Sequence, residues 1–298
     1  MGEWRDSTYG LGGGRIPFDV NTALVPAALR SIAALSRAAI LDFDAARVDD
    51  MAQVWEDETL QLFEVSISAE EATSRLDSYG ASVDIPSQSS TLDSKDNVTF
   101  HALALDGNNN LSKVEVMNTD DCFRHFLLNT TNQAQLTSFL NSSANNVRRR
   151  FPAGLLTDVG LVVANPAYGK EEVYRTNFTT SAYHGTVVWS WQLAMMARGL
   201  ELQLSRCSSS SIPDFCNNTS VYGNVKMAYN ALWDVLQKNQ DVLSNEVWSW
   251  TYSKGQDRFN FIDLGALPPP PGNNPTESNA VQLWSLTFLA VKRDETLR

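Results

Sequence analysis

The sequence predicts a mainly α fold, and three observations carry the prediction. Seven stretches place apolar residues at helical spacing, whereas only four short runs read as strands. Hydrophobic residues make up 43% and charged residues 19% of the 298 positions, the balance of a globular chain able to bury a sizeable core. Long polar loops, with chemically loaded motifs inside them, separate the helices. That arrangement fits a helical toroid better than a bundle with short turns.

Residues 21–40 open the series. Leu24, Ala28, Ile32 and Leu35 form an amphipathic stripe there, with Asn21 or Thr22 as N-cap. Residues 47–63 form a second helix and 69–79 a third, stopped by Gly80. A fourth spans 133–150 and is rather polar. Residues 185–204 are strongly apolar and are expected at the centre of the fold. Residues 221–240 put Val225, Ala228, Leu232, Val235 and Leu236 on one face, and 280–291 form the last helix. Strand-like runs fall at 63–67, 98–105, 114–117 and 247–252, with a hairpin about Asp106-Gly107-Asn108. The expected organisation is one domain over 1–298 with a small β-rich insertion near 63–118. The block 151–168 reads as a loop approaching a cleft.

Charge and composition narrow the partners. A net charge of −11 repels phosphate backbones and anionic lipid surfaces, so neither nucleic acid nor membrane is an expected partner. The short basic run Arg148-Arg149-Arg150 reads as a solvated helix end. No stretch approaches the roughly 18–20 apolar residues of a membrane span. The three His are dispersed and no Cys or His pair has ligand spacing, so no metal is expected. Neither a phosphate loop nor a dinucleotide fingerprint occurs, and no cofactor is expected.

Sequons occur at Asn97, Asn110, Asn129, Asn141, Asn177, Asn217 and Asn218, seven against roughly four expected by chance. Cys207 and Cys216 bracket a Ser-rich loop that a disulfide would close, leaving Cys122 unpaired; three reduced thiols are the other possibility. Residues 1–15 are polar and Gly-rich and contain no signal peptide. The expectation is a secreted, extracellular protein whose targeting segment is missing through truncation at the N-terminus.

Three constellations bear chemistry. The first is Gly2-Glu3-Trp4-Arg5-Asp6-Ser7, followed by Gly10 to Asn21 and a helix. An Asp beside a Trp can have its acidity altered by apolar surroundings, as a general acid requires. The second is Tyr183-His184-Gly185-Thr186-Val187-Val188-Trp189-Ser190-Trp191-Gln192. The third is Pro275-Thr276-Glu277-Ser278-Asn279, leading into Gln282-Leu283-Trp284-Ser285.

The first constellation resembles the Trp-x-Asp-(Ser/Ala) … Gly-(Lys/Arg)-x-x-(Asp/Glu)-(Ile/Val)-Asn element of glycogen-debranching α-1,6-glucosidases and related glucoamylase-like six-hairpin glycosidases. The second is similar to that family's Tyr-His-x-Gly-x-Val-Trp-Pro element, with one residue missing between His and Gly and Ser190 in place of the proline. The third resembles the opening of its final barrel helix. The resemblance implies an (α/α)6 toroid, here incomplete at the N-terminus. It implies that Asp6 is the proton donor and that Glu277 is the base activating water; the family base sits farther upstream, which makes Asp263 a rival. It further implies that Trp4, Tyr183, Trp189 and Trp191 stack on sugar rings, and that Arg15, Asp19, Asn21 and His184 bind the sugar or line its subsite. The reaction implied is hydrolysis of an O-glycosidic bond of an α-glucan or other oligosaccharide, by inversion. A non-catalytic carbohydrate-binding protein or inactive fragment on the same scaffold would bind glucan without releasing reducing sugar. A polysaccharide lyase using Tyr183 and His184 would release unsaturated products.

Overall fold

The computed structural model describes residues 4–5, 10–93, 95–106, 112–269 and 283–298. It is mainly helical, with 53% helix against 14% strand, so helices set the architecture and strands only brace it. Helix α1 (Asn21–Arg37) and α2 (Ala45–Phe63) form an antiparallel hairpin. The Asp44 side chain accepts from the Ala46 and Arg47 backbone N–H groups and so caps α2. Helix α1 starts otherwise than the sequence predicts. Neither Asn21 nor Thr22 caps it; the entry turn is held at Asp19, whose carbonyl accepts from the Thr22 N–H and hydroxyl.

The predicted stripe of α1 is also displaced. Thr22, Ala23, Pro26 and Ala33 are its buried residues, while Leu24 and Leu35 are 45% and 40% exposed. Small residues let α1 approach its neighbours closely, and Arg30 reaches across to Glu56 (2.9 Å), Asp49 and Gln53 of α2. A charged network and small side chains, not the large aliphatics, define that contact.

Helix α3 (Ala69–Val83) is capped by Ser68 and runs past Gly80. The glycine does not stop it. A Cβ there would stand 2.8 Å from the Ile85 carbonyl, so Gly80 serves the close return of residues 85–87. Between α3 and its neighbours, Glu64–Ile67 pairs antiparallel with Val98–His101, and Ala104–Leu105 pairs with both Ile16–Pro17 and Lys113–Val114. The segment from 64 to 118 is thus a helix framed by short strands. The tip of the expected hairpin, 107–111, lies outside the described residues.

Helix α4 (Asp121–Leu127), which the sequence does not predict, precedes α5 (Gln133–Arg148), α6 (Glu172–Asn177) and α7 (Ser190–Ser205). Helix α7 begins at Ser190, not at 185, because Val188–Trp189 is a strand that pairs with Val247–Ser253. Val247–Ser253 pairs in turn with Arg258–Ile262, completing a three-stranded sheet. The expected loop 151–168 also holds short strands, at Leu156–Thr157, Gly160–Leu161 and Ala164–Asn165. Helix α8 (Asp214–Asn217) leads to α9 (Thr219–Lys238), on which Val225, Ala228, Leu232, Val235 and Leu236 are all buried as predicted. Of the last expected helix, 280–282 lies outside the described residues and Leu283–Leu289 is 3-10.

Contacts run from α1 to α4, from α4 to α7, and from α7 to the Leu283–Leu289 segment. Behind them α5 packs on α9, and α2 meets the start of α5, where Gln135 donates to the Asp57 carbonyl at 2.8 Å. Helix α7 is buried on most of its surface, with Trp191, Leu193, Met196, Ala197, Leu200 and Leu204 in the main core. No helix among the described residues is long and apolar enough to cross a membrane.

Cys207 and Cys216 form a disulfide across the loop between α7 and α8; Cys122 is reduced and buried. The bridge spans a separation of 9 residues, and closing so short a loop in the unfolded chain corresponds to about 2–3 kcal/mol. Cys207→Ser with Cys216→Ser is expected to lower the denaturant-derived unfolding free energy by about that amount. An unchanged midpoint would show that the loop is constrained without the bridge.

Candidate active site

Residues 4–5 and 183–192 come together although about 180 positions separate them in sequence. Arg5 is fully buried, and its Nε donates to Asp120 Oδ2 at 2.9 Å. The same guanidinium donates to the Val163 carbonyl (2.7 Å) and the His184 carbonyl (3.4 Å). Trp4 donates from Nε1 to Asp120 Oδ1 at 3.1 Å, and Gln192 donates to that oxygen at 3.3 Å. Asp120 is therefore the hub. Asn118 Oδ1 accepts from the Asp120 N–H, which fixes the hub at the entry to α4.

Around the hub the aromatic rings interlock. Trp4 stands edge-on to His184, Trp189 and Trp191, with centroids 5.3, 5.5 and 5.2 Å away. His184 stacks on Trp189, whose Nε1 donates to the Tyr183 carbonyl. Gly185 makes this turn possible: a Cβ there would lie 2.1 Å from the Thr179 carbonyl. Tyr183 donates its hydroxyl to Glu246 Oε1 at 2.9 Å, and Glu246 is itself buried. His184, Trp189 and Trp191 are buried, whereas Trp4 and Tyr183 are half-buried. Trp284 extends the array by stacking on Trp191, and the Trp191 Nε1 has no hydrogen-bond partner among the described residues.

Burial governs the electrostatics. It pushes the Asp120 carboxyl above its ordinary value, opposed by the Arg5 cation and by the hydrogen bonds from Arg5 and Trp4. It also raises the Cys122 thiol, which donates to Gln192 at 2.9 Å, well above its usual range. His184 is lowered from 6.5 to about 3, first by burial and then by the Arg5 charge. His125, which shares a 2.7 Å hydrogen bond with Ser143, is lowered to about 4, chiefly by burial. Between the ordinary value and these lowered ones the unfolded chain takes up protons that the folded chain refuses. Stability is therefore expected to rise with pH from about 3 to 6.5 and to fall on acidification through that window. Denaturation midpoints across that range measure it, and His184→Gln with His125→Gln should flatten the dependence. A slope unchanged in the double variant would contradict neutral, buried imidazoles.

Of the residues predicted from sequence, Trp4, Tyr183, His184, Trp189 and Trp191 form this one cluster. Asp19 is buried at the entry to α1, where its carbonyl accepts from Thr22. Arg15 and Asn21 are exposed, and among the described residues neither shares a hydrogen bond or ring contact with the cluster. Asp6 and Glu277 lie outside the described residues. Asp263 is exposed directly after the Arg258–Ile262 strand. Ser249 faces Ile262 and Trp248 faces Val188, so Asp263 stands about two strand spacings, roughly 10 Å, from Val188.

Sequence reasoning missed Asp120, Gln192 and Glu246 as members. The Asp120-Asp121 doublet, directly before apolar Cys122 and Phe123, is the one local signal of buried acids, and Glu246 at the edge of the apolar run 247–252 is a weaker one. A separate cleft of about 470 Å³ is walled by Phe178, Thr179, Thr180, Trp250, Tyr252 and Arg175. No protein family matches the chain, and no curated protein or solved structure matches it.

Proposed function

We propose that this chain is an extracellular glycoside hydrolase that cleaves an O-glycosidic bond of an α-glucan or related oligosaccharide with two carboxylates. The observation that carries the reading is the meeting of Trp4-Arg5 with the Tyr183–Trp191 segment around Asp120. Asp6 is one peptide unit from Arg5, and Arg5 is anchored in that cluster. In this reading Asp6 protonates the leaving oxygen, and Glu277 or Asp263 deprotonates a water on the opposite ring face, with inversion. Trp4 and Tyr183, the half-buried rings of the cluster, are the ones a sugar meets in this reading. The hub positions the rings and takes no proton in the reaction. What supports the toroid reading is the succession of contacts from α1 to α4 to α7, with α2 packed on α1 and α9 packed on both α5 and α7.

A lyase would need His184 or Tyr183 as its base. A buried imidazole lowered to about 3 is a weak base at neutral pH, and the Tyr183 hydroxyl is engaged by Glu246. A binding protein without catalysis is the second reading; the burial of Trp189, Trp191 and His184 leaves Trp4 and Tyr183 as the rings a glycan would meet in either case. Incubating the purified chain with a panel of α-1,4- and α-1,6-linked glucans separates the two. Release of reducing sugar is the expected result; saturable binding with no release would establish the second reading and overturn the first.

A further inference from the structure

We infer that the end of the molecule bearing the Cys207–Cys216 bridge is a glycan-carrying face, modified at Asn129 and at one of the adjacent pair Asn217 and Asn218, with a further glycan at Asn97. The inference rests on the extracellular reading above and deepens it, because the sequence offers seven sequons and says nothing about which can carry a sugar.

An N-linked oligosaccharide is a large hydrated group. Attached to a side chain that must pack, it excludes the fold, so only sequons with an outward Asn are compatible with the native chain. Asn97, Asn129, Asn217 and Asn218 are exposed. Asn129 lies on the connection between α4 and α5, and its neighbours are fastened: the Leu128 carbonyl accepts from Gln203 and the Thr130 carbonyl from Arg206. Arg206 directly precedes Cys207, and Asn217 directly follows Cys216. The Asp214 N–H donates to Gln133, at the start of α5, at 2.9 Å. These contacts hold the Asn129 segment against the bridged loop, and the two sequons flank one surface.

Two of these carboxamides already make hydrogen bonds that a glycan would spare. Asn218 caps α9 through Oδ1, leaving Nδ2 for attachment. Asn97 donates from Nδ2 to Ser66 Oγ at 3.0 Å, and a glycosylated amide keeps one N–H. Asn141 is the contrary case. It lies inside α5, facing α9, where its Oδ1 and its carbonyl both accept from the buried Asn224. A sugar there would have to enter the α5–α9 contact.

The chemistry requires a polyprenyl-pyrophosphate-linked oligosaccharide, the donor class of the secretory pathway. The Asn Nδ2 forms a bond to the anomeric carbon, the bond from that carbon to the pyrophosphate oxygen breaks, the polyprenyl pyrophosphate leaves, and the amide gives up one proton.

The test is site mapping of the full chain expressed behind a secretion leader in a eukaryotic host. Folded, secreted protein is treated with peptide-N-glycosidase in heavy-oxygen water, and each sequon peptide is read for the resulting isotope-marked Asp. The expected result is modification at Asn97, at Asn129 and at one of Asn217 and Asn218, with Asn141 bare, and Asn141→Gln secreted at the parental level. A glycan on Asn141 of the folded protein, or bare peptides at Asn129 or across the Asn217–Asn218 pair, overturns the inference. Because the leader forces passage through the pathway, such a failure is separate from failure of the extracellular reading. The latter would be shown by chain from its own source carrying free thiols at Cys207 and Cys216.

Discussion

Asp6→Asn is expected to slow glycan hydrolysis by roughly 10²–10⁴-fold, the usual contribution of a positioned general acid. Asn matches Asp in size and can accept a hydrogen bond, but it cannot deliver a proton to the leaving oxygen. Binding is expected to survive, because Asn keeps the size and shape of the side chain and removes only its ionisable proton. The loss should accordingly fall on kcat, with KM changed little. Steady-state kinetics on the best substrate, together with a thermal unfolding curve matching the parent protein, measure the effect. Undiminished turnover would remove Asp6 from the acid role.

The largest effect on stability is expected at the hub. Arg5 and Asp120 are fully buried partners, and removing one leaves the other as an uncompensated charge in the core. Such a loss costs about 3–5 kcal/mol. Arg5→Met is therefore expected to lower the unfolding free energy by about that amount. It should also change Trp fluorescence, since the guanidinium sits 4.2 Å from the Trp4 ring centroid. Adding Asp120→Asn should restore part of the loss, because an uncharged Asn can still accept from Trp4 Nε1. Denaturant unfolding of the two single variants and the double variant tests this. A loss below about 1 kcal/mol in Arg5→Met would mean that the pair is solvated in solution.

How much of this was legible in the sequence depended on whether the signal was local. The position of α9 and its buried face followed from spacing, because that helix packs large aliphatics at regular intervals. Helix α1 misled for the opposite reason: its contact uses Ala23, Pro26, Ala33 and the Arg30 network, so Leu24 and Leu35 point outward. Helix α4 was invisible because its buried residues include Asp121, Arg124 and His125, each hydrogen-bonded to a distant partner. An apolar-stripe search discards such a segment. Gly80 reads as a stop in the sequence, yet what it provides is room for a neighbouring strand of chain.

The site divides in the same way. Its rings were legible because they lie within two short motifs, at 4 and at 183–191. Asp120 was not, since nothing near it says that an arginine 115 residues earlier will pair with it. Glu246 likewise acquires meaning only through the Tyr183 hydroxyl.

The central claim is that a sugar binds over Trp4 and Tyr183 between two acid side chains supplied by opposite ends of the chain. A crystal structure of the Asp6→Asn protein with a bound oligosaccharide tests it most directly. The account predicts a sugar ring on those two aromatic faces. It also predicts that the residue 6 side chain and the carboxyl of Glu277 or Asp263 stand roughly 6.5–9.5 Å apart on either side of the scissile bond. A sugar seated instead in the Trp250–Tyr252 cleft, or acid side chains with no ring-sized space between them, would contradict it.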